Sequence, residues 1–233
     1  MILGELIQRI QSLYSRGVQS DDTRLSSRHI YNKLITAKNR LLVLKSNKKQ
    51  ALSSKTYQTL NCVEIIKVGK IECDCTTNSS FCKVYRTKHK IPAILSDINK
   101  ILIRSVNTLD NSLKFDLTSQ NNIKYKSGNR YTKFKSEFYI KNGYFYFISD
   151  SVPKIVEITA VFENPLEVKN FSQYCNKRKE SDCSSNLDIE FPIDSDLIET
   201  LIESATKELI LLFKQNNQDI SNNTQDDTIT QKQ

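Results

Sequence analysis

The sequence predicts an α+β fold: an N-terminal helical pair, a central, mainly antiparallel β-sheet, then a closing C-terminal helix and a polar tail. Three observations carry this expectation. Apolar residues recur at helical spacing before residue 50 and again after residue 196. Period-two alternation and short apolar runs fill the stretch between. An Asn-Gly pair separates two alternating aromatic segments. With 233 residues, 38% of them hydrophobic, the chain is long enough to bury a sizeable core. We read residues 1–214 as a single α+β domain with a helical part (1–55), a β-rich part with loops (56–187) and the closing helix (188–214). Residues 215–233 are a polar tail, disordered unless bound.

In residues 2–14 the apolar positions Leu3, Leu6, Ile7, Ile10 and Leu13 make one helical stripe, and Glu5 and Arg9 fall outside it. This helix ends at Gly17, and Ser20, Asp21, Asp22 and Thr23 offer cap-type side chains for the next. The second helix runs from about 23 to 49 with the stripe Ile30, Leu34, Ala37, Leu41 and Leu44. That periodicity resembles a coiled coil but is too short for a free one. Its other face carries Arg24, Arg28, Lys33, Lys38, Arg40 and Lys45, read as a solvated face or a packed partner surface.

From residue 61 the pattern is that of strands, in NCVEIIKV (61–68), KVYRT (83–87), ILIRSV (101–106), LKFDL (113–117) and IVEITAVF (155–162). The clearest unit is KFKSEFYIKNGYFYFIS (133–149). Asn142-Gly143 suits a two-residue type I′ turn, which needs positive φ at both positions. The resulting register pairs Lys141 with Tyr144, Ile140 with Phe145, Tyr139 with Tyr146 and Phe138 with Phe147. Alternation then puts Phe138, Ile140, Phe145 and Phe147 on a core face, and Tyr139, Tyr144 and Tyr146 on a face suited to an interface. After Pro192, Asp194, Ser195 or Asp196 can cap the last helix, and Asp196 with Glu199 has capping-box spacing. Leu197, Leu201, Ala205 and Leu209 form its stripe, widened by Ile198, Ile202 and Phe213, so this helix should be buried on two sides.

The charge is unevenly placed. The net +8 resolves into 11 basic and 3 acidic residues over 1–60, 15 and 7 over 61–146, and 8 and 16 over 147–233. Such polarity fits a nucleic-acid partner or a subunit whose basic part meets the acidic part of its neighbour. The stretches 83–90 (KVYRTKHK) and 124–135 (KYKSGNRYTKFK) interleave cations with aromatic rings. They are read as a single-stranded nucleic-acid surface, the lining of a DNA passage, or a solvated strand face.

Several classes are excluded. No stretch approaches the roughly 20 apolar residues that cross a bilayer, and the N-terminus lacks the pattern of a signal peptide. A membrane partner is therefore not expected, and synthesis in a cytosol, where cysteines stay reduced unless they bind metal, is. With 5 glycines there is no phosphate-cradling loop, and no nucleophile elbow or zinc-protease motif occurs. His29 and His89 are the only histidines, and neither has a neighbouring nucleophile in a recognised setting. No catalytic residue and no cofactor is expected. Cys73, Cys75 and Cys82 with Cys175 or Cys183 form a weak candidate set for zinc, because their spacing is not that of a zinc ribbon. A disulfide formed after cell lysis and free thiols are the other readings.

Two segments, DDTRLSSRHIYNKLITAKNRLL (21–42) and DIEFPIDSDLIETLIESATKELI (188–210), with NPLEVKNF (164–171) between them, resemble a structural protein of crAss-like bacteriophages. The relative is the head-to-tail connector, or neck ring, protein, and the resemblance covers about residues 1–213. It implies a non-enzymatic virion protein at the neck, made in the host cytoplasm. It further implies a closed ring, dodecameric to match a portal, with the portal and other neck or tail proteins as partners. DNA would pass through the lumen without sequence-specific contacts. Candidate interface residues are Arg24, Arg28, Tyr31, Lys38, Tyr139, Tyr144, Tyr146, Leu201, Ile202 and Phe213.

Overall fold

The computed structural model describes residues 1–15, 17, 25–69, 84–97, 100–123, 131, 135–149, 151–171, 175 and 185–214. The helices are α1 (Leu3–Tyr14), α2 (Ser27–Asn47), the short α3 (Pro165–Lys169) and α4 (Ile198–Lys214). The strands are β1 (Gln58–Lys67), β2 (Tyr85–Thr87), β3 (Ile103–Asn107), β4 (Asp116–Leu117), β5 (Glu137–Lys141), β6 (Tyr144–Ile148) and β7 (Ile155–Ala160). The fold is α+β, with helices at both ends and a mostly antiparallel seven-stranded sheet between. The chain divides into two compact units, Met1–Leu52 with Ser184–Gln233, and Ser53–Cys183.

The helical unit is built on apolar stripes. α1 buries Leu3, Leu6, Ile7 and Ile10, and α4 buries Leu201, Ile202, Ala205 and Leu209. Ser26 caps α2, its Oγ accepting the His29 N–H at 3.3 Å; the expected cap residues 20–23 lie outside the described residues. α2 departs from the expected stripe. It buries Ile30, Leu34, Ala37, Lys38 and Leu42, while Leu44 is 47% exposed. The physical reason is packing: Leu34, Lys38 and Leu42, spaced i, i+4, i+8, form one row of the helix, and that row faces the interior of the unit, where Lys38 meets Phe191, while Leu44 falls off it. A 3₁₀ turn, Ser195–Leu197, leads into α4, and the Asp194 carboxylate makes no capping bond there. Backbone bonds from Leu3 N–H to Ile189 O (2.9 Å) and from Gly4 N–H to Leu187 O (2.8 Å) tie the start of α1 to the approach to α4.

The β unit follows the expected hairpin residue for residue. Lys141 pairs with Tyr144, Ile140 with Phe145, Tyr139 with Tyr146 and Phe138 with Phe147. Asn142 and Gly143 take φ of 53° and 79°, as the type I′ turn requires. The strand order is β3-β7-β1-β2-β6-β5-β4. β1 serves two neighbours because it bends. Its register with β7 shifts between Leu60 and Val63, and Cys62 at that bulge has φ of 56°. A bulge adds a residue and re-aims the strand, so Gln58–Glu64 pair with β7 and Ile65–Lys67 pair with β2.

The two outer strands are also joined to each other. After β3 the chain turns and pairs back on it: Thr108 N–H donates to Leu113 O (3.0 Å) and Phe115 N–H to Val106 O (2.8 Å). It then crosses to β5, where Asp116 N–H donates to Ser136 O (3.0 Å) and Thr118 N–H to Phe138 O (2.8 Å). This crossing leaves only Asp116–Leu117 of the expected strand 113–117 on β5, in parallel pairing. Among the described residues the segment 113–118 thus links the two outer strands and closes the sheet, covering part of an edge that would otherwise template unwanted pairing. Inside lie Phe115, Phe138, Phe145 and Phe147, with Phe138 stacked on Phe145 at 5.0 Å and Phe115 edge-on to Phe147 at 5.0 Å.

Candidate interaction surfaces

Charge is distributed differently in the two units. The helical unit holds 13 basic and 13 acidic residues, and the β unit holds 21 and 13. The basic face of α2 was expected to meet solvent or a partner. Part of it instead meets the acidic residues of its own unit. Lys33 pairs with Glu208 at 3.2 Å, and Lys45 pairs with Asp194 at 2.7 Å and Asp196 at 3.0 Å. Arg9 of α1 pairs with Glu199 at 2.9 Å. Hydrogen bonds to Asp194 and then Asp196 hold the Lys45 ammonium above its ordinary pKa. Asp194 and Asp196 thus serve as acceptors for a lysine from α2.

Four of the expected interface residues are buried in the chain's own core. Leu201, Ile202 and Tyr146 are 0%, 2% and 5% exposed. Lys38 is 0% exposed, its ammonium 5.9 Å from the centre of the Phe191 ring. The aliphatic stem of a lysine packs like an apolar residue, and Lys38 lies on the buried Leu34–Lys38–Leu42 row of α2. These four present no surface to a partner. Arg24 lies outside the described residues. Arg28 is exposed, Tyr31 is half-buried against the helical core, and Phe213 is 39% exposed with His29 edge-on at 6.2 Å.

On the outer face of the β-hairpin, Tyr139 stacks on Tyr146 at 5.0 Å, and the Arg86 guanidinium sits 4.3 Å over the Tyr144 ring. Burial raises the Tyr139 hydroxyl above its ordinary pKa. The face therefore joins a small apolar cluster, with Val68 and Tyr146 buried and Val84, Tyr139 and Tyr144 partly so, to cations on the same strands. Lys88 pairs with Glu64 at 2.7 Å. Most of the second basic-aromatic stretch, 124–130 and 132–134, lies outside the described residues.

The cysteines take an arrangement the spacing did not single out. Cys175 is joined by a disulfide to Cys62, the bulged residue of β1, across 113 positions of sequence. Cys62 read as an ordinary strand residue, and its bulge was the signal that a sequence cannot display. Cys73, Cys75, Cys82 and Cys183 lie outside the described residues. Among the described residues no group of His, Cys, Asp and Glu is placed to hold a metal ion. His89 lies beside Phe171, ring centres 6.5 Å apart, in an open groove of about 430 Å³ lined also by Lys90, Glu167 and Asn170. Sequence reasoning also missed exposed leucines of the helical unit: Leu13 on α1 and Leu211 and Leu212 at the end of α4 are 50%, 57% and 56% exposed.

The helical unit is thus neutral and the β unit carries the net positive charge. The chain belongs to a family of phage tail ring proteins: the family model described as Phage tail ring protein 2, of the crAss ring group, matches residues 5–228. A comparison with curated proteins finds none that matches. The protein is accordingly a structural ring component of a phage tail, and a ring implies association with copies of itself and with other tail components. Among the described residues no helix is long and apolar enough to cross a membrane.

Proposed function

We propose that this ring sits at the neck of the virion, connects the portal to the tail, and lets DNA pass through its lumen. The observation that carries the reading is the placement of the net charge. The whole +8 falls in the β unit, with 21 basic and 13 acidic residues, while the helical unit is neutral. A ring that guides a polyanion needs cations toward the lumen and a subunit interface free of like-charge repulsion. Repeated around twelve copies to match a portal, the β units form a basic collar that contacts phosphates without reading sequence. Arg28, Tyr31, Tyr139, Tyr144 and Phe213 remain the side chains we assign to contacts with neighbours, and the chain is made in the host cytoplasm before it joins the virion.

The test is mass spectrometry and electron microscopy of intact virions. The chain should be present in a fixed copy number, as a ring directly below the portal, with its β unit toward the lumen. Absence from virions, or a ring elsewhere in the tail, overturns this placement. The runner-up reading is a phage nucleic-acid-binding protein, favoured by Arg86 over Tyr144 and the stacked Tyr139–Tyr146 pair. Such a protein binds DNA as a small species and loses affinity steeply with salt as counterions are released. The ring protein runs as a large oligomer whether or not DNA is present.

A further inference from the structure

A helix buries its apolar stripe only as far as its packing partners extend, and α4 extends further than α1. Its buried residues Leu201, Ala205 and Leu209 set a line that Leu212 and Phe213 continue, yet those two are 56% and 39% exposed. The last cover comes from the first turn of α2, where His29 meets the Phe213 ring. α1 repeats the pattern. Leu6 and Ile10 are buried, and Leu13, next on the same line, is 50% exposed. Arg9 pairs with Glu199 and Leu13 lies beside Ile202 and Thr206, so α1 and α4 run parallel, and α4 carries Leu212 and Phe213 about two turns beyond α1, to one end of the helical unit. The exposed Arg28 stands at that end, on the first turn of α2.

The opposite end carries a second apolar pair. Ile2 is 41% and Leu187 44% exposed; the Gly4–Leu187 hydrogen bond and the bridge from Ile2 to Glu190 bring them together. Exposed carboxylates surround this pair, those of Glu5, Asp188 and Glu190. One end of the helical unit is thus apolar with a cation, and the other is apolar with acids. The length of α1, roughly 18 Å for 12 residues, separates them.

A closed ring of more than two copies needs two different surfaces on each subunit, one for each neighbour. Those surfaces should not set like charges against each other, and the helical unit, with 13 basic and 13 acidic residues, satisfies this where the β unit does not. We propose that neighbouring copies join head to tail through their helical units, the Leu212–Phe213 end of one copy docking on the Ile2–Leu187 end of the next, with Arg28 facing the carboxylates. The proposal rests on the chain forming a ring and does not depend on where in the tail the ring lies.

The experiment is sedimentation velocity on the full-length chain. Wild type should run as a ring. Leu212→Asp spoils only the first end and Leu187→Asp only the second. Both positions are exposed, so each variant should keep its far-ultraviolet circular dichroism and run as a monomer. The concentration needed for rings should rise by at least about a hundredfold, because a carboxylate would be buried against apolar partners. Mixed in equal amounts, the two variants each retain one sound and complementary end, so they should form a one-to-one heterodimer and nothing larger. Leu212→Gln, which adds no charge, should weaken rings in the same direction by a smaller factor. Rings that survive both aspartate substitutions, or a mixture that stays monomeric, overturn the head-to-tail interface while leaving the ring intact as a reading. Wild type that remains monomeric at its highest soluble concentration overturns both.

Discussion

The helical unit and the β unit start from opposite strategies for the same side chains. In the helical unit, basic residues of α1 and α2 meet acidic residues that lie some 150 to 190 positions away in sequence, through Lys45–Asp194, Lys33–Glu208 and Arg9–Glu199. In the β unit the described ion pair Lys88–Glu64 spans only 24 positions, and basic residues outnumber acidic ones by 21 to 13. A polarised sequence is therefore not a polarised surface. The acidic C-terminal third neutralises the basic N-terminal helices of its own fold, and the net positive charge stays with the β unit as a whole. The apolar side differs as well: the sheet closes and covers its aromatic core, whereas the helices end with their stripes uncovered.

The largest effect that can break this comparison is a cavity in the closed sheet. Phe147 is 1% exposed, edge-on to Phe115 at 5.0 Å and tilted against Phe138 at 6.2 Å. Phe147→Ala should cost about 3–5 kcal/mol, the range for deleting a buried ring. Denaturant unfolding followed by tyrosine fluorescence, weighted to the β unit because it holds eight of the ten tyrosines, should shift far more than unfolding followed by helical circular dichroism. If both signals move together by the same amount, the two units melt as one and the division drawn above is not an energetic one.

Those aromatic residues also show what a sequence displays and what it hides. The hairpin was legible to the residue because its determinants are local: Asn142-Gly143 fixes the turn and the turn fixes the register. The helices were legible for the same reason. Closure of the sheet was not, since it rests on Phe115 bonding back to Val106 while Asp116 bonds onward to Ser136, and no pattern within 113–117 announces that switch. The interface residues were legible only in part. A stripe shows that Leu201, Leu212 and Phe213 share a line, but whether each is core or surface depends on where α1 and α2 stop. Lys38 was misplaced because a lysine at the edge of a stripe reads as surface, whereas its i, i+4 neighbours Leu34 and Leu42 are buried with it. The bond between Cys62 and Cys175 depended on a bulge that has no sequence signature.

An intermediate effect tests the internal pairing of the helical unit. Asp194 is 3% exposed, and Lys45 bonds it at 2.7 Å. Removing one partner of a buried pair strands the other charge, whereas removing an exposed pair changes little. Lys45→Met should therefore lower the melting temperature clearly, and Lys207→Met, which breaks an exposed pair with Glu203, should leave it nearly unchanged. The pH dependence has a definite sign. The Lys45 pKa is raised above 10.5 in the folded state, so its contribution is complete below that value and is lost as pH rises through the folded-state pKa. The difference in melting temperature between wild type and Lys45→Met should shrink in strongly alkaline buffer. Equal effects of the two substitutions would mean that the pairing is no more than surface decoration.

The smallest effect lies in the turn that closes the sheet, and it sharpens the contrast from the other side of the pH scale. Hydrogen bonds from the Thr108 hydroxyl, then the Ser112 hydroxyl and the Ser112 N–H, lower Asp110 from 3.8 to about 2. The Ser112 bonds measure 2.8 Å and 3.2 Å. Because the folded-state pKa is depressed, the carboxylate stabilises the turn above pH 3.8, and that support is lost as pH falls through about 2. Asp110 is exposed, so global stability should hardly register the change, but the turn sets the return of the chain onto β3. Hydrogen exchange should read it locally, with faster exchange at the Leu113 and Phe115 N–H groups that bond to Thr108 and Val106. Other carboxylates titrate over the same interval, so the decisive comparison is wild type against Asp110→Asn at neutral pH. The variant cannot be ionised there and should already show the faster exchange, with the amides of α1 and α4 unchanged. Equal protection of both N–H groups in the two proteins would mean that backbone pairing alone holds the closure and that Asp110 adds nothing to it.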